Sequence, residues 1–97
     1  MIETNPIIPI TESDTVEFKS TFSRAVIETL VAFANTKGGA VYVGLNDKGE
    51  VKGVDIASES IQQWINEIKS KTDPSLIPYV EIIKILNKEL VVLSTHE

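Results

Sequence analysis

Ninety-seven residues without a cysteine make at most one domain, with no disulfide framework and no thiolate metal site. A net charge of −5 argues against a general basic surface for nucleic acid, although lysines and arginines gathered on one face would suffice locally. No apolar run approaches the roughly 20 residues that span a bilayer. The acidic, proline-bearing opening MIETNPIIPITESD is no signal peptide, so a cytoplasmic protein without a membrane partner is expected.

Residues 1–11 are expected to form an extended arm, because Pro6 and Pro9 disfavour helix around them. Residues 15–19 read as a short strand whose alternation sets Val16 and Phe18 on one face and Glu17 and Lys19 on the other. Residues 24–36 repeat apolar side chains at helical spacing: Val26, Leu30 and Phe33, widened by Ile27, Val31 and Ala34. Such a stripe predicts a helix packed on a sheet. Ser23 or Thr21 is placed to cap its start, and Gly38 or Gly39 suits the left-handed position after its end.

Residues 40–45 follow as a strand, Asn46-Asp47-Lys48-Gly49 as a turn, and residues 50–54 as a short return strand. Ser60 with Gln63 fits a capping box, and Ile61, Trp64, Ile65 and Ile68 form the stripe of a second helix. Lys69 and Lys71 complement that helix's C-terminus, and Asp73-Pro74 ends it. The runs YVEIIKIL and LVVLS then predict a hairpin around Asn87, Lys88 and Glu89. The expected order is β-α-β-β-α-β-β, an α+β fold with two helices covering a mixed sheet.

Gly38, Gly39 and Gly44 do not make a phosphate loop. That loop places its glycines after a strand and before a helix, where free N–H groups meet the anion. Here the glycines follow a helix and precede a strand, and Leu45 and Asn46 stand where Lys and Ser/Thr are required.

The chemistry-bearing stretch lies upstream. Glu12, Glu17 and Lys19 sit ahead of and on the first strand, and Asp47 sits on the turn after the next. Three carboxylates converging at one sheet end would hold Mg²⁺ or Mn²⁺, activate a bound water and polarise a phosphodiester. Lys19 would pair with a phosphate. Glu12 is five residues before Glu17, so it shares that site only from outside the strand or across a bend. The plain alternative is equally concrete: Glu17 and Lys19 as solvated strand residues, Asp47 as a turn residue and Glu12 as a loop charge. Asn35 and Thr36 read as the helix end, Trp64 as core, and His96 stands without a second His or Cys.

The E-x-x-x-x-E-F-K opening, the segment A-F-A-N-T-K-G-G, the strand V-Y-V-G-L-N-D and the return G-E-V-K-G-V together resemble the Schlafen AlbA-type domain. This family is also labelled a DNA-binding or divergent AAA domain. It occurs in bacterial transcriptional regulators and helicase-related proteins. The resemblance covers roughly residues 12–94 of a domain taken as residues 12–97, and implies a nucleic-acid-binding module with DNA or RNA as partner. It also implies an ATP-binding label, for which the residues offer no phosphate loop. Animal members cleave structured RNA with three acidic residues, which by motif position fall on Glu12, Glu17 and Asp47. That implies a metal-dependent endoribonuclease as the alternative, with Mg²⁺ or Mn²⁺ as cofactor. A nucleic-acid face would use Lys19, Arg24, Lys37, Lys48 and Lys52. The family's usual C-terminal segment with proline and arginine is not reached, so the domain is expected to be truncated there. A third reading is a non-catalytic interaction domain, with self-association through an edge strand.

Overall fold

The computed structural model describes residues 11–56, 60–85 and 87–96. The expected arm, residues 1–11, lies outside them except for Thr11, as do residues 57–59 ahead of the second helix. The elements are β1 (Val16–Lys19), α1 (Arg24–Ala34), β2 (Gly39–Val43), α2 (Ser60–Lys71), β3 (Tyr79–Ile85) and β4 (Lys88–Thr95). The sheet order is β1-β2-β4-β3; β1 and β2 run parallel, and the β2–β4 and β4–β3 pairs are antiparallel. The α+β fold and its element order are as expected. Among the described residues the return strand is reduced to isolated bridge positions at Glu50 and Val51, with Val51 pairing to Leu45.

One sheet face carries both helices. Val26, Ile27, Leu30 and Phe33 of α1 and Ile68 of α2 pack on Val41, Val43, Val91 and Leu93. Phe22 and Trp64 stack at 4.8 Å and 6° against this cluster, which makes Trp64 a core residue. On the other face Phe18, Leu45, Val51, Leu90 and Val92 form a second buried cluster, with the hairpin of residues 44–54 folded over it. The alternation expected for β1 holds: Val16 and Phe18 join this second face. Glu17 and Lys19 stand in register with Val41 and Val43, on the helix-bearing face but at its β1 edge.

Helix α1 stops at Ala34, two residues before the expected end. Asn35 caps it, and the Thr36 hydroxyl donates to the carbonyls of Ala32 (3.0 Å) and Phe33 (3.3 Å), bonds that compete with further helix. Gly38, at φ 81°, returns its N–H to the Phe33 carbonyl at 2.7 Å. Gly39 serves another need. A Cβ there would lie 2.7 Å from both Phe33 Cδ2 and the Thr15 carbonyl oxygen, so only glycine lets α1 approach the β1–β2 edge. At the other end Ser23 is the N-cap position, but its hydroxyl makes no capping bond; its carbonyl accepts from Val26 N–H at 3.0 Å.

Candidate carboxylate pair and nucleic-acid interface

The chain ahead of β1 folds back on itself. Ser13 bridges to Val16, with Ser13 N–H donating to the Val16 carbonyl at 3.0 Å. This bend supplies the turn that residue parity required, and it lays Glu12 along the outer edge of β1. Glu12 Oε2 accepts the Phe18 N–H at 3.2 Å, satisfying an edge donor that β2 cannot reach.

The carboxyl groups of Glu12 and Glu17 act on each other as hydrogen-bond partners, each shifting the other's proton affinity. The bond to Glu12 raises Glu17, reinforced by burial and by the Glu12 charge; Asp47 adds a weaker push upward, and Lys19 opposes it. Glu12 moves the other way. The bond from Glu17 lowers it first, then the Phe18 N–H, with a smaller contribution from Lys19. Of the two, Glu17 holds its proton to the higher pH.

Of the three sequence-predicted carboxylates, the structure joins Glu12 to Glu17. Asp47, exposed on the hairpin turn, acts on Glu17 only through space. Among the described residues no group of three or more His, Cys, Asp or Glu side chains could hold a metal ion. The Glu12–Glu17 pair retains the donor chemistry: two neighbouring carboxyl groups, when ionised, would present oxygens of the kind by which Mg²⁺ is held alongside substrate phosphates.

The five basic candidates are dispersed. Arg24 and Lys37 flank the two ends of α1, an 11-residue helix that at about 1.5 Å per residue separates them by roughly 16 Å. Arg24 faces Glu28 at 3.8 Å, and Lys37 binds Asp14 at 3.0 Å, all four largely exposed. Lys37 accordingly holds the Asp14 carboxyl below its ordinary range. Lys48 and Lys52 both act on the carboxyl of Glu50, which lies between them in the hairpin. The Glu50 carboxyl is lowered first by Asn46 and then by Lys52 and Lys48. Lys19 stands at the base of the same hairpin, its carbonyl accepting Gly44 N–H at 2.7 Å.

Asn46 builds that hairpin, a role the sequence reading did not give it. Its Oδ1 accepts the N–H groups of Lys48 (3.0 Å) and Glu50 (2.9 Å), and its Nδ2 donates to Glu50 Oε1 at 2.8 Å. The signal was present as an asparagine opening a turn. Lys71 was read only as a helix-end charge, yet it lines a groove of about 500 Å³ between α1 and α2 with Arg24, Ile27, Glu28 and Val31. No periodicity in α2 reveals which residue of α1 it will face. His96 meets the Tyr79 ring edge to face at 5.1 Å.

The sequence matches the family model described as Schlafen, AlbA_2 over residues 12–97. The chain belongs to the Schlafen AlbA_2 family. Solved structures share its fold. The DIP2311 protein of Corynebacterium diphtheriae is 21% identical with a TM-score of 0.68, over 86% of this chain and 18% of that one. The N-terminal domain of a RecG-related helicase protein from Nitrosomonas europaea is 23% identical with a TM-score of 0.52, over 86% of this chain and 61% of that one. At these identities the likeness is one of fold. The chain thus spans less than two thirds of either protein. No curated protein matches the sequence. Among the described residues no helix is long and apolar enough to cross a membrane.

Proposed function

We propose that this AlbA_2 domain is a nucleic-acid-binding module of a transcriptional regulator or helicase-related protein. Membership of the Schlafen AlbA_2 family over residues 12–97 carries the reading. The fold shared with the N-terminal domain of a RecG-related helicase protein supports it. The contact surface is the 44–54 hairpin, which carries Lys48 and Lys52, with the end of β1, whose Lys19 carbonyl accepts the Gly44 N–H at the hairpin's base. Each of these lysines stands beside a carboxylate, so phosphate must compete with Glu50, Glu12 and Glu17 for them. Binding is consequently weak and strongly dependent on salt. Amide shifts in NMR spectra recorded during an oligonucleotide titration test the placement. Shifts should concentrate at residues 19 and 44–54, and the Lys48→Glu/Lys52→Glu double variant should lose about tenfold or more in affinity. Shifts confined to α2 and β3, with the double variant unchanged, would refute it.

A second reading rests on the Glu12–Glu17 pair. As a metal-dependent nuclease the domain would hold Mg²⁺ or Mn²⁺ on these two carboxylates, with Asp47 nearby and Lys19 placed for a phosphate. Such an ion supplies a polarised phosphodiester and a more acidic bound water. Binding without cleavage is preferred here, because Asp47 is not joined to the pair. Mg²⁺- or Mn²⁺-dependent cleavage of RNA or single-stranded DNA that disappears in Glu17→Ala and in Asp47→Ala would reverse that order.

A further inference from the structure

The two edges of the sheet are treated differently. β1 is four residues long, and its outer edge is folded over by the Ser13–Val16 bridge and by Glu12 on the Phe18 N–H. β3 is seven residues long, and among the described residues it pairs with β4 alone. The large apolar side chains left exposed also gather there: Ile77 at 65%, Tyr79 at 62% and Ile82 at 49%. A long apolar edge with unpaired backbone groups is a template for another strand.

We propose that β3 pairs antiparallel with β3 of a second copy of this chain, about a two-fold axis at Ile82, so that two four-stranded sheets become one. The strand is self-complementary in this register. Ile82 is the midpoint of Tyr79–Ile85, so a centre there pairs every residue of β3. Opposed residues keep to one face, as strand geometry demands. Ile82 meets Ile82, Val80 meets the aliphatic stem of Lys84, Glu81 meets Ile83, and Tyr79 meets Ile85. No like charges face each other. Moving the centre to Glu81 would oppose two carboxylates, and moving it to Lys84 would oppose two ammonium groups, both unfavourable across strands. β3 carries one acid and one base, so the edge is locally neutral on a chain of net charge −5. Lys84 is further matched within its own sheet by Glu89, its register partner on β4. The exposed Ile82 at the centre then becomes the contact that is most fully buried, as expected of an interface anchor.

Sedimentation velocity from micromolar to millimolar concentration tests the proposal on the 97-residue chain. A concentration-dependent dimer is expected. Ile82→Lys, which opposes two charges at the axis, should weaken self-association by about tenfold or more. Ile82 belongs to neither buried cluster, so the far-UV circular dichroism of this variant should match the unsubstituted chain. The register has its own readout, because the chain has no cysteine. Opposed residues of an antiparallel pair lie about 4.5–5.5 Å apart at Cα, within disulfide reach. Ile82→Cys should therefore cross-link on mild oxidation, whereas Tyr79→Cys, opposite Ile85, should not. A chain monomeric throughout the range overturns the proposal, including one that instead captures a strand of another protein. So does an Ile82→Lys variant that dimerises like the unsubstituted chain, or a Tyr79→Cys variant that cross-links as fast as Ile82→Cys.

Discussion

Glu17 keeps its proton to higher pH than an isolated glutamate, chiefly through its bond to Glu12. The two partners therefore give opposite pH dependences. Glu17, raised above the ordinary value of 4.5, stabilises the fold fully below that value and loses its contribution as pH rises through the folded pKa. Glu12, lowered from 4.5, stabilises above that value and loses its contribution as pH falls through its folded pKa. The pair contributes most near the ordinary glutamate value. Glu17→Gln keeps a donor toward Glu12 and removes the charge that must otherwise appear there. Urea midpoints should show this variant more stable than the parent at pH 7, by about 0.3 kcal/mol, the scale of exposed charge interactions. A less stable variant at pH 7 would contradict the upward shift of Glu17. Gly39 is a second residue-scale test. Alanine there meets the Thr15 carbonyl, which cannot yield as a flexible side chain would, so Gly39→Ala should cost about 1–3 kcal/mol in urea unfolding. An unchanged midpoint would show that α1 is free to move off the β1–β2 edge.

At the scale of elements, the 44–54 hairpin is the piece that joins the fold to the proposed function. It covers the second buried cluster with Leu45 and Val51, and it presents Lys48 and Lys52. Asn46 and the Val54 N–H, which donates to the Glu89 carbonyl at 2.9 Å, tie it at its turn and at its exit. Asn46→Ala removes three hydrogen bonds and should cost about 1–2 kcal/mol, with faster amide exchange at Lys48 and Glu50. Unchanged exchange at both amides would show that the turn is held by its backbone alone. The helices were legible because a 3.6-residue period survives in any context: Val26, Leu30 and Phe33 are buried as their spacing required. The end of α1 was less legible, since Thr36 back-bonds to the helix and its place in a helical pattern does not show that choice. The return strand failed for a local reason. Gly53, at φ 81°, and the two N–H groups of Lys52 and Gly53 that converge on the Gly44 carbonyl turn the chain away after Val51.

Across the whole molecule, charge placement was the least legible property. The sequence shows how many lysines and arginines exist, and helical spacing already sets Glu28 beside Arg24, but not that Asp14 and Glu50 will stand beside the others. Those neighbours arise from strand pairing and loop closure, which link residues as distant as Asp14 and Lys37. Glu12 and Glu17 were legible as candidates, because only a bend was needed to unite them. Asp47's weaker role followed from where the hairpin turn projects. The proposed function has this acidic domain bind nucleic acid through a few hairpin and β1 lysines. Fluorescence anisotropy of single- and double-stranded oligonucleotides, titrated at several salt concentrations, measures it most directly. Three phosphates neutralised by Lys19, Lys48 and Lys52 predict a log–log slope of about −2 to −3. Tight binding indifferent to salt, or no binding at any salt, would contradict the claim.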